Sequence, residues 1–342
     1  MFTLFTYNIV FGVLFFWSVI FEISTVKLFS KAKSLSKVIL FLSIVLGILF
    51  GLRDISFGSD TPRYMDFLVS LRDIDTLSWY NDSGFFVLIS LLRAFLSVNV
   101  ASIALSSLIA YLYLDSYRKI TGDNSLYLVV LVLSFFWFVD LNSNILKSGL
   151  AYGLLLSALA NPNRKRLFFV AAFMCHSSSI IFILLYVIEG LLKTRLLFLL
   201  WLLCNIISYL DLGLYQMFFS VLYYINPQYT ELLNITHLIS TEDYQTGYRL
   251  DFSLYSFLAI IPFVKNVWLK RNDYYLLNLF LLLNSLFVLL YDVPYSNRIG
   301  LLSYVLLPIM YTQVLDMNKS VKRIIYPIMI SLSFLISQII LN

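Results

Sequence analysis

Charged residues interrupt this chain so rarely that long apolar stretches dominate its pattern. Residues 1–21, 38–52, 94–114, 124–139, 148–163, 167–188, 196–210, 212–230, 274–291, 299–315 and 324–342 contain no Asp, Glu, Lys or Arg. About 20 apolar residues, within a range of about 17–25, cross a bilayer's hydrocarbon core. The pattern therefore predicts ten crossing helices, over about 3–22, 38–52, 99–117, 124–141, 144–160, 196–214, 254–270, 274–291, 298–315 and 324–341. Two segments are irregular. Segment 84–98 is short and carries Arg93, which suits a re-entrant or outer-leaflet helix. Segment 167–192 holds Cys175-His176-Ser177-Ser178-Ser179 at its centre. Non-helical backbone at membrane depth needs polar partners or a cavity, so this cluster predicts two half-helices meeting there.

Composition supports that reading. The 342 residues are 60% hydrophobic and 13% charged, against roughly 25% charge in a soluble domain, and the mean hydropathy is +0.86. The expected fold class is an all-α polytopic integral membrane protein, a single transmembrane domain over 1–342 with outer loops at about 53–83 and 211–253. The N-terminal apolar run is too long for a signal-peptide core and reads as a retained first helix. A basic pI could suggest nucleic acid, but every Lys/Arg cluster adjoins an apolar span, so the excess is a topology signal and no nucleic-acid partner is expected. Cys175 and Cys204 lie inside apolar runs, and His176 and His237 share no ligand spacing with them or each other. Neither a disulfide framework nor a metal site is expected, and no cofactor. Asn81-Asp82-Ser83 and Asn234-Ile235-Thr236 match the glycosylation sequon, a motif short enough to arise by chance.

Orientation follows from the cations. Seventeen of the 24 Lys and Arg form six groups: Lys27/Lys31/Lys33/Lys37, Arg118/Lys119, Arg164/Lys165/Arg166, Lys193/Arg195, Lys265/Lys270/Arg271 and Lys319/Lys322/Arg323. Cytoplasmic loops carry such excess, so both termini are expected outside. The remaining seven, Arg53, Arg63, Arg72, Arg93, Lys147, Arg249 and Arg298, fall on the outer side with 13 of the 19 acids.

Arginine there is not needed for orientation. Its planar fork binds phosphate or carboxylate bidentately and keeps its charge when desolvated, which points to an anionic ligand. The structural alternative is pairing with nearby acids, Arg53 with Asp54 or Arg249 with Asp251. Gly58 and Pro62 punctuate a turn, and Asp60-Thr61-Pro62-Arg63 reads as a helix start that Asp60 would cap. The loop at 211–253 carries Tyr215, Tyr223, Tyr224, Tyr229, Tyr244 and Tyr248. These suit either a membrane interface or sugar contacts. Lys147 and Arg298 head predicted helices, whose N-termini favour phosphate. His176 sits at the predicted break, where an intramembrane ionisable group is a functional candidate, although a lone histidine also serves as a structural residue.

The order Arg53-x4-Gly58-x-Asp60-x3-Tyr64, Ile145-Leu146-Lys147-x-Gly149-Leu150-Ala151, Cys175-His176-Ser177 and Arg298 before Tyr304 resembles the EpsG-like branch of Wzy-type polysaccharide polymerases. One departure is Ile-Leu-Lys in place of the family's Ile-Arg-Gln-like helix start. Lys147 there binds phosphate as a point charge without the bidentate fork.

The resemblance implies a metal-independent GT-C-like glycosyltransferase at the outer face of the bacterial cytoplasmic membrane. Its donor and acceptor would be polyprenyl-diphosphate-linked oligosaccharide repeat units, with membrane lipid and a chain-length regulator protein as further partners. Arg53, Arg63, Tyr64, Lys147, Arg249 and Arg298 are then the expected substrate-binding residues. His176 or Asp60 is the expected base. Two alternatives stand beside it: an O-antigen ligase-type transferase, or a lipid-linked oligosaccharide flippase or other transporter. A transporter would favour repeated halves, and none is visible.

Overall fold

The structure, a computed structural model, describes residues 4–23, 32–54, 60–70, 82–122, 126–210, 212, 248–269, 274–291, 293, 296–315 and 330–336. Among them the regular structure is helical throughout, without strands, as the charge-free runs require. The first helices are α1 (Leu4–Ile23), α2 (Ala32–Gly51), α3 (Thr61–Ser70), α4 (Ser83–Phe95) and α5 (Val98–Thr121). They are followed by α6 (Leu126–Leu133), α7 (Phe136–Ser143), α8 (Leu146–Ala160), α9 (Lys165–Cys175) and α10 (Ser179–Ile188). The remainder are α11 (Thr194–Tyr209), α12 (Leu250–Leu269), α13 (Tyr275–Leu289), α14 (Asn297–Tyr304) and α15 (Leu307–Leu315).

Several expected boundaries are met. The segment at 167–192 breaks at His176–Ser178, between α9 and α10. The 13 residues of α4 reach about 20 Å at 1.5 Å per residue, short of the ~30 Å hydrocarbon core. Two expected spans are instead divided. The 124–141 span splits between α6 and α7, where Phe135 turns extended (φ −87°, ψ 131°) and the Ser134 hydroxyl donates to the Leu131 carbonyl at 2.7 Å. The 298–315 span splits between α14 and α15 beside Pro308, which has no N–H to continue the ladder.

By length and composition, α5 is the described helix that suffices to cross a membrane. The shorter helices still carry apolar stripes at helical spacing. Leu40, Phe41, Ile44 and Ile48 of α2 are exposed, as are Leu196, Leu199, Leu203 and Ile206 of α11 and Leu250, Leu254, Leu258 and Ile261 of α12. Apolar area on this scale is foreign to a water-exposed surface and suits hydrocarbon.

The chain forms two compact units, residues 1–180 with 311–342 and residues 181–310. In the first, α5 packs against α2 and α8, and α8 against α9. Its centre is aromatic: Phe50, Tyr113, Tyr117, Trp137, Phe138 and Tyr152 are fully buried. The Tyr113 and Phe138 rings meet edge to face at 6.1 Å. The Gly149 position of α8 faces the Leu141 carbonyl oxygen so closely that a Cβ would lie 2.0 Å from it. In the second unit α13 packs between α11 and α14. Trp201 Nε1 donates to Asn284 Oδ1 at 2.8 Å, and Asn284 Nδ2 donates to Ser303 Oγ at 3.1 Å. Such satisfied polar links fix the register of otherwise uniform apolar helices.

Candidate functional site

Only a short turn separates α8 from α9, so the two helices run antiparallel and bring the start of one beside the end of the other. Lys147, in the first turn of α8, and His176, just after α9, thereby share one partner. That partner is Asp82, which immediately precedes α4. Asp82 Oδ1 lies 3.2 Å from His176 Nδ1 and accepts the Ser177 N–H at 3.1 Å. Oδ2 accepts from Lys147 Nζ at 3.3 Å. The Lys147 ammonium also stands 4.5 Å from the ring centroid of Phe86, 5.5 Å from Phe67 and 5.9 Å from Phe85. Each such cation–π contact adds attraction to the ion pair.

Backbone geometry places this carboxylate. Asp82 has φ 72° and ψ 24°, the left-handed region that Asp and Asn tolerate better than other non-glycine residues. It is the one described non-glycine residue with positive φ. Two positions later Gly84 lies against α9, where a Cβ would sit 2.8 Å from Met174 Cβ and 3.0 Å from the Met174 carbonyl carbon. The bare Gly84 backbone lets α4 approach the end of α9. Burial alone would raise the Asp82 carboxyl. The hydrogen bond and charge of His176, the Ser177 N–H and the Lys147 charge outweigh it and hold Asp82 at about 2. The carboxylate is therefore ionised and accepts only, so His176 Nδ1 carries the proton in their bond. His176 Nε2 is buried and meets no hydrogen-bond partner among the described residues.

A second cluster adjoins the same helices. Arg53 is 6% exposed, and its Nε donates to Thr61 Oγ1 at 3.3 Å while Nη1 donates to the Phe50 carbonyl at 2.8 Å. Its Nη2 is buried without a partner among the described residues. Burial draws the guanidinium down to about 10, against an opposing push from Tyr64, and it stays charged at neutral pH. Thr61 in turn donates to the Ser143 carbonyl at 3.2 Å, and the Asp60 N–H donates to Asn144 Oδ1 at 2.9 Å. The start of α3 is thus seated on the α7–α8 junction, three residues before Lys147.

The expected site residues divide accordingly. Arg53, Asp60, Arg63, Tyr64, Lys147 and His176 all fall in the first unit. Asp60 stands at the head of α3, its carbonyl accepting the Tyr64 N–H at 3.1 Å. Tyr64 is buried with its ring edge-on to Phe85 at 5.8 Å, and the Arg63 guanidinium lies 5.7 Å from the Phe67 ring. Arg249 and Arg298 belong to the second unit. Arg249 pairs bidentately with Asp251, at 2.9 and 2.6 Å, which is the structural alternative foreseen for it. Arg298 occupies the first turn of α14. Of the tyrosine-rich loop only Tyr248 lies within the described residues; its hydroxyl donates to Asn205 Oδ1 at 3.4 Å. Among the described residues no three His, Cys, Asp or Glu side chains converge as metal ligands.

Asp82 carries no site signal in the sequence, where it falls within the Asn81-Asp82-Ser83 sequon; its local mark is that of an acid directly before Ser83-Gly84 and an apolar run, a helix-start signal.

No curated protein and no solved structure matches this chain. The sequence model of the EpsG family, however, matches residues 34–341, a span holding the Arg53, Lys147 and His176 motifs that unit one brings together. Membership brings with it that family's general association with membranes and with polysaccharide polymerisation by glycosyl transfer. The chain belongs to the EpsG family.

Proposed function

We propose that this protein is a multi-pass polymerase of the bacterial cytoplasmic membrane that joins polyprenyl-diphosphate-linked oligosaccharide units at the outer face without a metal. The observation that carries the reading is the His176 imidazole, with Nδ1 on a carboxylate and Nε2 unengaged among the described residues. A hydroxyl oxygen of the incoming unit attacks the anomeric carbon of the growing chain. The bond from that carbon to the lipid diphosphate breaks, and its electron pair leaves on the diphosphate oxygen. The hydroxyl proton passes to His176 Nε2, a transfer typically worth about 10²–10⁴-fold.

Arg53 supplies the charge that stabilises the departing diphosphate. A buried guanidinium with one N–H edge unused is suited to an anion, and fixed charge aimed at a leaving group needs no reorganisation during reaction. Asp60, at the head of α3, is the rival base. Arg298, at a helix N-terminus, is a further substrate-binding candidate.

The test supplies lipid-linked oligosaccharide, extracted from cells whose own copy of the gene is deleted, to purified protein in EDTA. A ladder of longer lipid-linked products is the expected result. Transfer restricted to a lipid A core acceptor would identify a ligase, and translocation without new glycosidic bonds would identify a transporter. Loss of the ladder in EDTA that added metal restored would end the metal-free mechanism.

A further inference from the structure

We infer that Asp82 is a positioning residue for His176, fixing the imidazole so that Nε2 is the atom free to take a proton, and that Lys147 is the counter-charge of Asp82 and not a phosphate ligand. This rests on the reading of His176 as base. Three independent features converge on it.

The first is geometric. One carboxylate receives His176 Nδ1, the Ser177 N–H and Lys147 Nζ within 3.1–3.3 Å, so both the ring and the backbone that carries it are held by Asp82. A base oriented by a third group through its distal nitrogen is the general logic of activated catalytic dyads and triads. The second is backbone strain. A non-glycine residue in the left-handed region is strained and persists where surrounding structure demands it. Here that conformation turns the Asp82 side chain toward α8 and α9. The third is the surroundings of Lys147. Its ammonium is enclosed by Phe67, Phe85, Phe86 and the Asp82 carboxylate, and its side chain is 15% exposed, which suits a fixed charge better than a ligand for an incoming diphosphate.

Among the described residues, the charged or titratable groups around His176 are Asp82 ahead of α4, Lys147 on α8 and the Cys175 thiol at the end of α9. Asp82 and Lys147 act on the imidazolium with opposite sign, and that opposition supplies the test. In Asp82→Asn the imidazolium loses a carboxylate, so the acidic limb of the rate profile should move down. The rate itself should fall about 10²-fold or more, because the Asn amide can donate to Nδ1 and place the proton on Nε2. In Lys147→Met the repelling ammonium is gone, and the limb should move up. Asp82→Gly keeps the left-handed turn without the carboxylate and should be as slow as Asp82→Asn.

The assay is the lipid-linked oligosaccharide ladder against pH, paired with ¹⁵N NMR of His176 in a His237→Gln background. The nitrogen shifts should report the Nδ1–H tautomer in the parent and its loss in Asp82→Asn. Limbs that move in the same direction, or not at all, in Asp82→Asn and Lys147→Met would overturn the inference. So would parental rates in Asp82→Gly. If those results came with an inactive His176→Ala, the base would stand and only the role of Asp82 would fall. Full activity in His176→Ala would remove the base itself.

Discussion

The Asp60 N–H donates to Asn144 Oδ1 at 2.9 Å, joining positions 84 residues apart in the chain. Asn144 Nδ2 donates in turn to Asp140 Oδ1 at 2.9 Å. This side chain therefore links the head of α3, which holds Arg53 through Thr61, to the α7–α8 junction that leads into Lys147. Asn144→Ala removes both bonds and leaves an N–H short of an acceptor. It should destabilise the protein by about 1–3 kcal/mol, read as a lowered melting temperature in detergent. Activity should fall with it, as Arg53 loses its support. An unchanged melting temperature would show that the Asp60–Asn144 bond contributes nothing to seating α3, leaving that task to the Thr61 contacts and apolar packing.

Topology makes a separate prediction. By the positive-inside rule the six basic groups lead us to expect 161–166 in the cytoplasm and 53–83 outside. Ser70 and Asn163 are both exposed, so each can carry a probe once Cys175 and Cys204 are replaced. An impermeant thiol reagent applied to intact cells should label Ser70→Cys and spare Asn163→Cys. The reverse pattern would turn the protein over and move the Asp82–His176 pair to the cytoplasmic side.

Helix positions were legible because charge is so sparse here that the basic clusters fall at or near helix ends, although Lys37, Arg93, Asp115 and Asp140 lie inside helices. The α9–α10 break was visible as five small or polar residues in an apolar run. The α6–α7 break was not, since Ser134-Phe135-Phe136 offers neither Gly, Pro nor charge. The α14–α15 break does carry a local mark, Pro308, set within a run that has no charge from 299 to 315. Among the candidate site residues, His176, Lys147 and Arg53 each stand out in the sequence singly, by residue type and position. The partner of the first two was hidden because Asp82 lies 65 residues from Lys147 and 94 from His176. Pairings that distant follow from tertiary packing, and no local spacing rule carries them.

Close packing between α4 and α9 should be equally sensitive. Gly84→Ala would bring a methyl group within 2.8 Å of Met174 Cβ and 3.0 Å of its carbonyl carbon. Overpacking of this kind costs typically about 1–3 kcal/mol, and here it would push Asp82 away from His176. Activity should therefore fall more than folded yield. Gly84→Ala with a parental rate would mean that α4 can shift without disturbing the pair.

Acid should reveal the ionic part of the Asp82 contribution. Its carboxyl is held at about 2, against an ordinary 3.8, so the ionised form favours the fold. That stabilisation is complete above about pH 4 and disappears as pH falls from there toward about 2. The difference in melting temperature between the parent and Asp82→Asn should persist from neutral pH to mild acid, then close over that window. A difference that remained undiminished at about pH 2 would assign the contribution of Asp82 to its shape.

Arg53 provides the test of anion recognition. Two of its N–H edges are committed to Thr61 and to the Phe50 carbonyl, and Nη2 meets no partner among the described residues, which on the proposed reading is the group offered to a phosphate oxygen. Arg53→Lys can satisfy one of these partners but has no planar fork with which to serve all three. Hydrogen bonds to a charged group are worth about 1.5–3 kcal/mol each, and each 1.4 kcal/mol is about tenfold in rate or affinity. Arg53→Lys should therefore lower polymer formation by about 10- to 100-fold at equal protein level, with Arg53→Ala lower still. The proper comparison is with Arg63→Ala, whose parent residue is exposed and stacks on Phe67; it should lose less. Full polymer formation by Arg53→Lys would mean that a point charge suffices at this position and that the free Nη2 edge is not the phosphate ligand.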